Sequence, residues 1–196
     1  EVAFTGSWYD ETAEKEGATK LINDGCRLIS QHADSMGAPT ACETAGVPNV
    51  SYNGSTEAQC PNTFIVSSRI DWEPYYTLCI NALKANKAED IPTDYVGTIE
   101  TGSVVLTDLG AKATAKGTAD KLAEVKAGLL DGSIQVFATA NFTVDGKTLD
   151  TYLADVDDMG DYVGETEVIK DGAFLESEFR SAPYFDLDID GITIKE

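Results

Sequence analysis

Apolar residues recur along this chain with two periodicities. Residues 2–6 form a short β-rich run. Asp10 then stands where a helix N-cap belongs, and Ala13, Gly17, Ala18, Leu21 and Ile22 share one face at helical spacing. Gly25 follows in the place of a left-handed helix end. Residues 27–31 predict a second strand, 40–45 a short helix closed by Gly46, and 47–53 and 63–68 two more strands. Residues 73–85 predict a helix with Pro74 in its first turn. Strands joined by such helices need crossover connections, so the pattern predicts an α/β fold with a mainly parallel open sheet flanked by helices.

The second half is less regular. Residues 103–107 and 134–138 predict strands, and 118–130 a helix with Leu122, Val125 and Leu129 on one side. Val144-Asp145-Gly146-Lys147-Thr148 reads as a hairpin. Residues 155–161 are acidic and predict a solvated loop, and 182–194 alternate. No repeat or Pro/Ser-rich linker divides the 196 residues, which predicts one α/β lobe.

Composition narrows the function classes. With 14 Lys and Arg against 34 Asp and Glu the net charge is −20. Nucleic-acid binding needs cations to displace counterions, so it is disfavoured, as is adhesion to anionic lipid. The chain is 42% apolar and 9% aromatic, too rich in core-forming residues for a disordered tail. The four cysteines form no CxxC pair and there is one histidine, so no zinc signature exists. Cys26 and Cys79 are expected to be buried small hydrophobes. Cys42 and Cys60 flank one strand-and-loop unit; they are either free or joined in an oxidising compartment.

In a parallel sheet, ligands gather at the carboxyl ends of strands. The residues past successive strands are Ser7-Trp8-Tyr9-Asp10, Gln31-His32-Ala33-Asp34, Tyr52-Asn53-Gly54 and Ser68-Arg69-Ile70-Asp71-Trp72. Both tryptophans and the histidine fall in this set. It reads either as a rim for a flat polar molecule or as loop-to-helix packing. The candidate ligand residues are Trp8, Tyr9, His32, Asp34, Asn53, Arg69 and Trp72. No activated serine or cysteine stands beside His32, and the many carboxylates single out no catalytic pair, so no enzyme activity and no cofactor are expected. Asp186-Leu187-Asp188-Ile189-Asp190-Gly191 matches the opening of a calcium loop, but the closing Glu would fall beyond Glu196. The same run reads as an amphipathic strand with its aspartates outward.

These strand-end motifs resemble the second lobe of the bacterial basic membrane lipoproteins, substrate-binding proteins of ABC importers with a type I periplasmic-binding fold. The resemblance rests on Thr5-Gly6-Ser7-Trp8-Tyr9-Asp10, Ile29-Ser30-Gln31-His32-Ala33-Asp34-Ser35, Ile70-Asp71-Trp72-Glu73-Pro74-Tyr75-Tyr76 and the stretch 178–185. It implies a solute held between two lobes and delivered to a membrane permease. It also implies an N-terminal lobe upstream and a lipid-anchored protein outside the cell membrane or in the periplasm. Well-studied members bind purine nucleosides or nucleobases. Where the nucleoside branch usually has an aspartate this chain carries Asn53, and where that branch has a lysine it carries Ser68, so a free nucleobase or similar heterocycle is the preferred ligand. The competing expectation is a sensory ligand-binding domain of a receptor.

Overall fold

The structure is a computed structural model; it describes residues 1–196 except Asp158, Met159, Asp161, Ser177, Ser181, Ala182, Pro183 and Glu196. The chain divides into two units. The first comprises Glu1–Asp71, Val104–Ala123 and Thr193–Glu196; the second comprises Trp72–Ser103 and Glu124–Ile192.

In the first unit, β1 (Val2–Ala3) leads into α1 (Glu11–Asn23). Asp10 caps the helix by accepting from the Ala13 amide at 2.9 Å, while its own amide donates to Glu14 Oε1 at 3.0 Å. The reciprocal pair satisfies donors that the first turn leaves without partners. At the other end the Cys26 amide reaches the Leu21 carbonyl and the Gly25 amide that of Ile22, both at 3.0 Å, with Gly25 left-handed as its position predicts.

There follow β2 (Ile29–Ser30), α2 (Gly37–Ala45), β3 (Asn49–Tyr52), β4 (Phe64–Ile70) and β5 (Val104–Leu106). The sheet order is β2-β3-β4-β5. The first two ladders are parallel and the β4–β5 ladder is antiparallel. The helix predicted at 40–45 begins three residues earlier, with Pro39 in its first turn, where a missing N–H costs nothing. Gly37 allows α2 to abut α1: a β-carbon there would collide with the backbone of Glu11 and Lys15. Ala18, Ile29, Ala38, Ala41, Cys42 and Val47 form the core between the two helices and the sheet.

Two expectations need correcting here. The first strand is only two residues long and lies outside the four-stranded sheet, pairing in parallel with β10 (Ile194–Lys195). The buried thiols are Cys42 and Cys60, both free, whereas Cys26 and Cys79 are half-exposed. Cys79 is half-exposed because its helix, α3 (Glu73–Lys84), buries no residue fully.

The second unit contains α3 and short antiparallel ladders, β6 (Leu153–Ala154) with β7 (Thr166–Glu167) and β8 (Ile169–Lys170) with β9 (Ala173–Phe174). The helix α4 (Thr118–Asp131) runs from the first unit into the second. Phe174 is the centre of the second core, 4.6 Å edge-on from Phe185 and packed with Val168, Ile169 and Tyr184. The hairpin at Val144–Lys147 forms as predicted: Asp145 and Gly146 are both left-handed, φ 51° and 73°. Residues 134–138 are not a strand; only Ala138 finds a bridge, to Ala173.

Of the alternating stretch 182–194, Ala182 and Pro183 lie outside the described residues, as do Asp158, Met159 and Asp161 of the acidic segment. From Tyr184 to Asp190 the alternation holds, with Asp186, Asp188 and Asp190 exposed, but no ladder forms there. Asp190 accepts from Thr143 Oγ1 at 2.5 Å and the Gly146 amide at 2.8 Å, and these bonds hold its carboxyl below the usual carboxylate range. Asp186 accepts from the Tyr152 hydroxyl at 2.7 Å. Two of the three aspartates are thus engaged by the protein itself.

Candidate functional site

The turn after β1 is held by its own hydroxyls: Thr5 Oγ1 donates to the Ser7 carbonyl and Ser7 Oγ to that of Tyr9, both at 3.1 Å. Trp8 projects from this turn with 76% of its surface exposed. Its carbonyl accepts from the Asp34 amide at 2.8 Å, which ties the turn after β1 to the turn after β2. Glu14, only 3% exposed, stands beneath that junction. One carboxylate oxygen takes the Asp10 amide and the other takes the buried Ser35 amide at 3.2 Å. Gln31 Nε2 donates to the Ser35 carbonyl at 3.3 Å, while its Oε1 is buried without a hydrogen-bond partner.

The next strand end joins the row. The exposed His32 ring stacks on Tyr52 with centroids 5.5 Å apart and planes at 30°. Asn53 turns the chain at φ 72°, a conformation Asn tolerates better than most residues, and its amide donates to the Ser68 carbonyl at 2.7 Å. Arg69 follows Ser68 on β4 and pairs with Asp71 at 3.4 Å. His32, Tyr52, Asn53 and Arg69 therefore lie at or near the carboxyl ends of β2, β3 and β4, and the bond from the Asp34 amide ties the turn that carries Trp8 to that edge. A cavity of about 560 Å³ opens beside only the Trp8 and His32 end of this row, between residues 2–8, α1 and β2; Trp8, Gln31, His32 and Glu14 are among its lining residues.

The other candidates are placed differently. Tyr9 is 65% exposed and does not line the cavity, nor do Asp34, Asn53 and Arg69. Trp72 belongs to the second unit, where it stacks on Tyr76 at 6.1 Å and heads an exposed apolar row continuing through Ile80 and Leu83. Glu14 was missed because an acidic residue in a Lys/Glu-rich helix reads as solvated; its signal is the spacing to the Asp10 cap. No group of three or more His, Cys, Asp or Glu side chains among the described residues is arranged to hold a metal ion.

An aromatic, polar rim of this kind is suited to reversible capture by stacking and directed hydrogen bonds. Residues 1–127 match the family model described as Bmp, ABC transporter substrate-binding protein PnrA-like. A Haloferax volcanii protein whose name assigns it glucose binding in an ABC transporter (TsgA13) is 27% identical over 141 residues, 72% of this chain and 35% of that protein. A purine-binding protein of Brucella abortus is 29% identical over 75 residues, 38% of this chain and 21% of that protein. An ABC transporter solute-binding protein from Conexibacter woesei has a similar fold, with a TM-score of 0.55 at 21% identity over 67% of this chain and 44% of its own. The chain thus spans about a third of the length of the first of these relatives.

Proposed function

The chain belongs to the PnrA-like family of ABC transporter substrate-binding proteins, and on that premise we propose that it captures a small polar heterocycle, a purine nucleobase or nucleoside, for an importer permease. The observation that carries this reading is the His32–Tyr52 stack and Asn53 at the strand ends of one sheet, with the exposed Trp8 tied to them through the Asp34 amide. A purine offers two things to such a row: a flat π-face for the exposed indole and imidazole, and ring nitrogens for directed hydrogen bonds. Asn53 suits it because an amide both donates and accepts, as the edge of a nucleobase does. The purine-binding relative in Brucella abortus supports the same ligand class. Capture is reversible and involves no catalysis. The protein works outside the cytoplasm, delivered to its permease from the periplasm or the outer face of the membrane, with a second lobe completing the ligand's enclosure.

The glucose-named relative favours a second reading, a monosaccharide, since sugar rings also stack on indoles and an amide binds their hydroxyls. Calorimetry separates the two. Adenine, guanine, their nucleosides and glucose are titrated into the protein carried within its full-length polypeptide. Purine binding is expected, and Trp8→Ala should weaken it about tenfold, the ~1.4 kcal/mol of one stacked aromatic contact. Binding of glucose alone, or purine affinity unchanged in both Trp8→Ala and His32→Ala, refutes the proposal.

A further inference from the structure

We propose that Asn53 is a site of spontaneous modification: its carboxamide cyclises onto the Gly54 backbone nitrogen and reopens as a carboxylate, which makes a neutral position of the strand-end row acidic. Three observations single it out. First, of the seven asparagines only Asn53 precedes a glycine. Ring closure brings the side-chain carbonyl carbon onto the next residue's nitrogen, and glycine alone offers that approach with no β-carbon in the way.

Second, both reacting groups are unrestrained. The Asn53 side chain is exposed, and among the described residues neither its carboxamide nor the Gly54 amide has a hydrogen-bond partner. The fixed points lie on either side. The Asn53 amide is held by the Ser68 carbonyl at 2.7 Å, and the buried Thr56 hydroxyl lies 3.1 Å from that of Ser51. Between them only Gly54 and the exposed Ser55 have to rotate. Third, neighbouring asparagines lack this freedom. Asn49 is 2% exposed and donates to Thr63 Oγ1 at 3.1 Å. Asn62 donates to Glu43, and the Thr63 amide that follows it donates to the Cys60 carbonyl at 3.1 Å.

The step needs only water and hydroxide. The Gly54 nitrogen gives up its proton to hydroxide and attacks Asn53 Cγ; the bond to the side-chain nitrogen breaks and ammonia leaves with a proton from water. Water then opens the resulting succinimide at either carbonyl, giving aspartate or isoaspartate. The consequence for the ligand rests on the purine reading above. An amide donates and accepts, whereas a carboxylate only accepts. A nucleobase edge thus loses a donor, while the hydroxyls of a nucleoside or sugar gain a charged acceptor. Ageing of the protein thereby moves its preference from bases toward hydroxyl-bearing ligands.

To test this, the full-length polypeptide is held in mildly alkaline buffer, native and in parallel unfolded in urea, and site-resolved fragment masses are followed. Replacement of NH by O is expected at Asn53 and not at Asn49 or Asn62 in the native protein. Its native rate should lie within about tenfold of the unfolded one, because an exposed turn opens at little cost. A β-carbon at Gly54 meets nothing within 4 Å and its φ is not left-handed, so Gly54→Ala keeps the fold and should slow the reaction about tenfold or more. An unmodified Asn53, a slower native rate than that, or an equal rate in Gly54→Ala overturns the proposal. Calorimetry reads the consequence: Asn53→Asp should bind adenine about tenfold more weakly than the parent, the loss of one directed hydrogen bond. Unchanged adenine affinity in Asn53→Asp overturns the shift in preference. A parent that binds no purine instead refutes the purine reading, and the masses still decide the modification.

Discussion

Replacing Glu14 tests whether one buried carboxylate holds the rim in place. Each of its oxygens accepts one backbone N–H, from Asp10 and from Ser35, and the Ser35 amide is itself buried. A hydrogen bond to a charged acceptor contributes about 1.5–3 kcal/mol, against which stands the cost of burying the charge. In Glu14→Gln one oxygen still accepts, but the new NH₂ faces a second donor, leaving one buried amide unsatisfied at about 2 kcal/mol. Glu14→Ala loses both bonds; water can serve the exposed Asp10 amide but not that of Ser35, so the expected cost is about 3 kcal/mol. Against a typical stability of about 5–15 kcal/mol either loss is large. The neighbouring exposed Glu16→Gln should stay within about 0.5 kcal/mol of the parent. Urea unfolding followed by circular dichroism measures all three. If Glu14→Gln unfolds at the same urea concentration as Glu16→Gln with an unchanged slope, the carboxylate bridge contributes nothing and the reasoning is wrong.

Burial pushes the Cys42 thiol up to about 12, with Cys60 beside it adding to the shift. In the native protein at about pH 8 a thiol reagent should therefore label Cys26 and Cys79 quickly and Cys42 only on unfolding; prompt labelling of Cys42 would contradict this. Burial and the Asp186 carboxylate raise Tyr152 from 10 to about 12. The folded protein holds this proton more tightly, so the stabilisation is fully present below pH 10 and is lost as pH rises through about 12. Tyr152→Phe should lack that part of the alkaline fall, and parallel wild-type and variant curves between those values would exclude it. With a net charge of −20, self-repulsion should be relieved by salt, so the thermal midpoint should climb between about 0.05 and 1 M KCl; a flat response would show that the acidic groups are already compensated.

The first half of the fold was legible because its signals are local. Asp10, Gly25 and Gly46 punctuate helices through hydrogen bonds to their own neighbours. The runs at β3 and β4 are apolar enough to be strands in any arrangement. Pairing was less legible. The run Val104–Leu106 reads the same whichever way it points, and only the structure shows it antiparallel to β4. Residues 134–138 read as a strand yet form a β-bridge only at Ala138, so the pattern supplied a strand that the surroundings do not complete. The rim was legible as a sheet-edge rule applied to Trp8, His32 and Asn53. Glu14 was not, because its burial comes from the turn after β2, 21 residues away.

The parallel contact of β1 with β10 has a practical consequence. Val2 sits opposite Ile194, and Lys195 bridges Glu1 at 3.0 Å and Asp24 at 3.1 Å, so the first and last described residues leave the fold side by side. Whatever loosens residues 1–3 therefore also frees residues 194–195, so the two stretches should lose amide protection together.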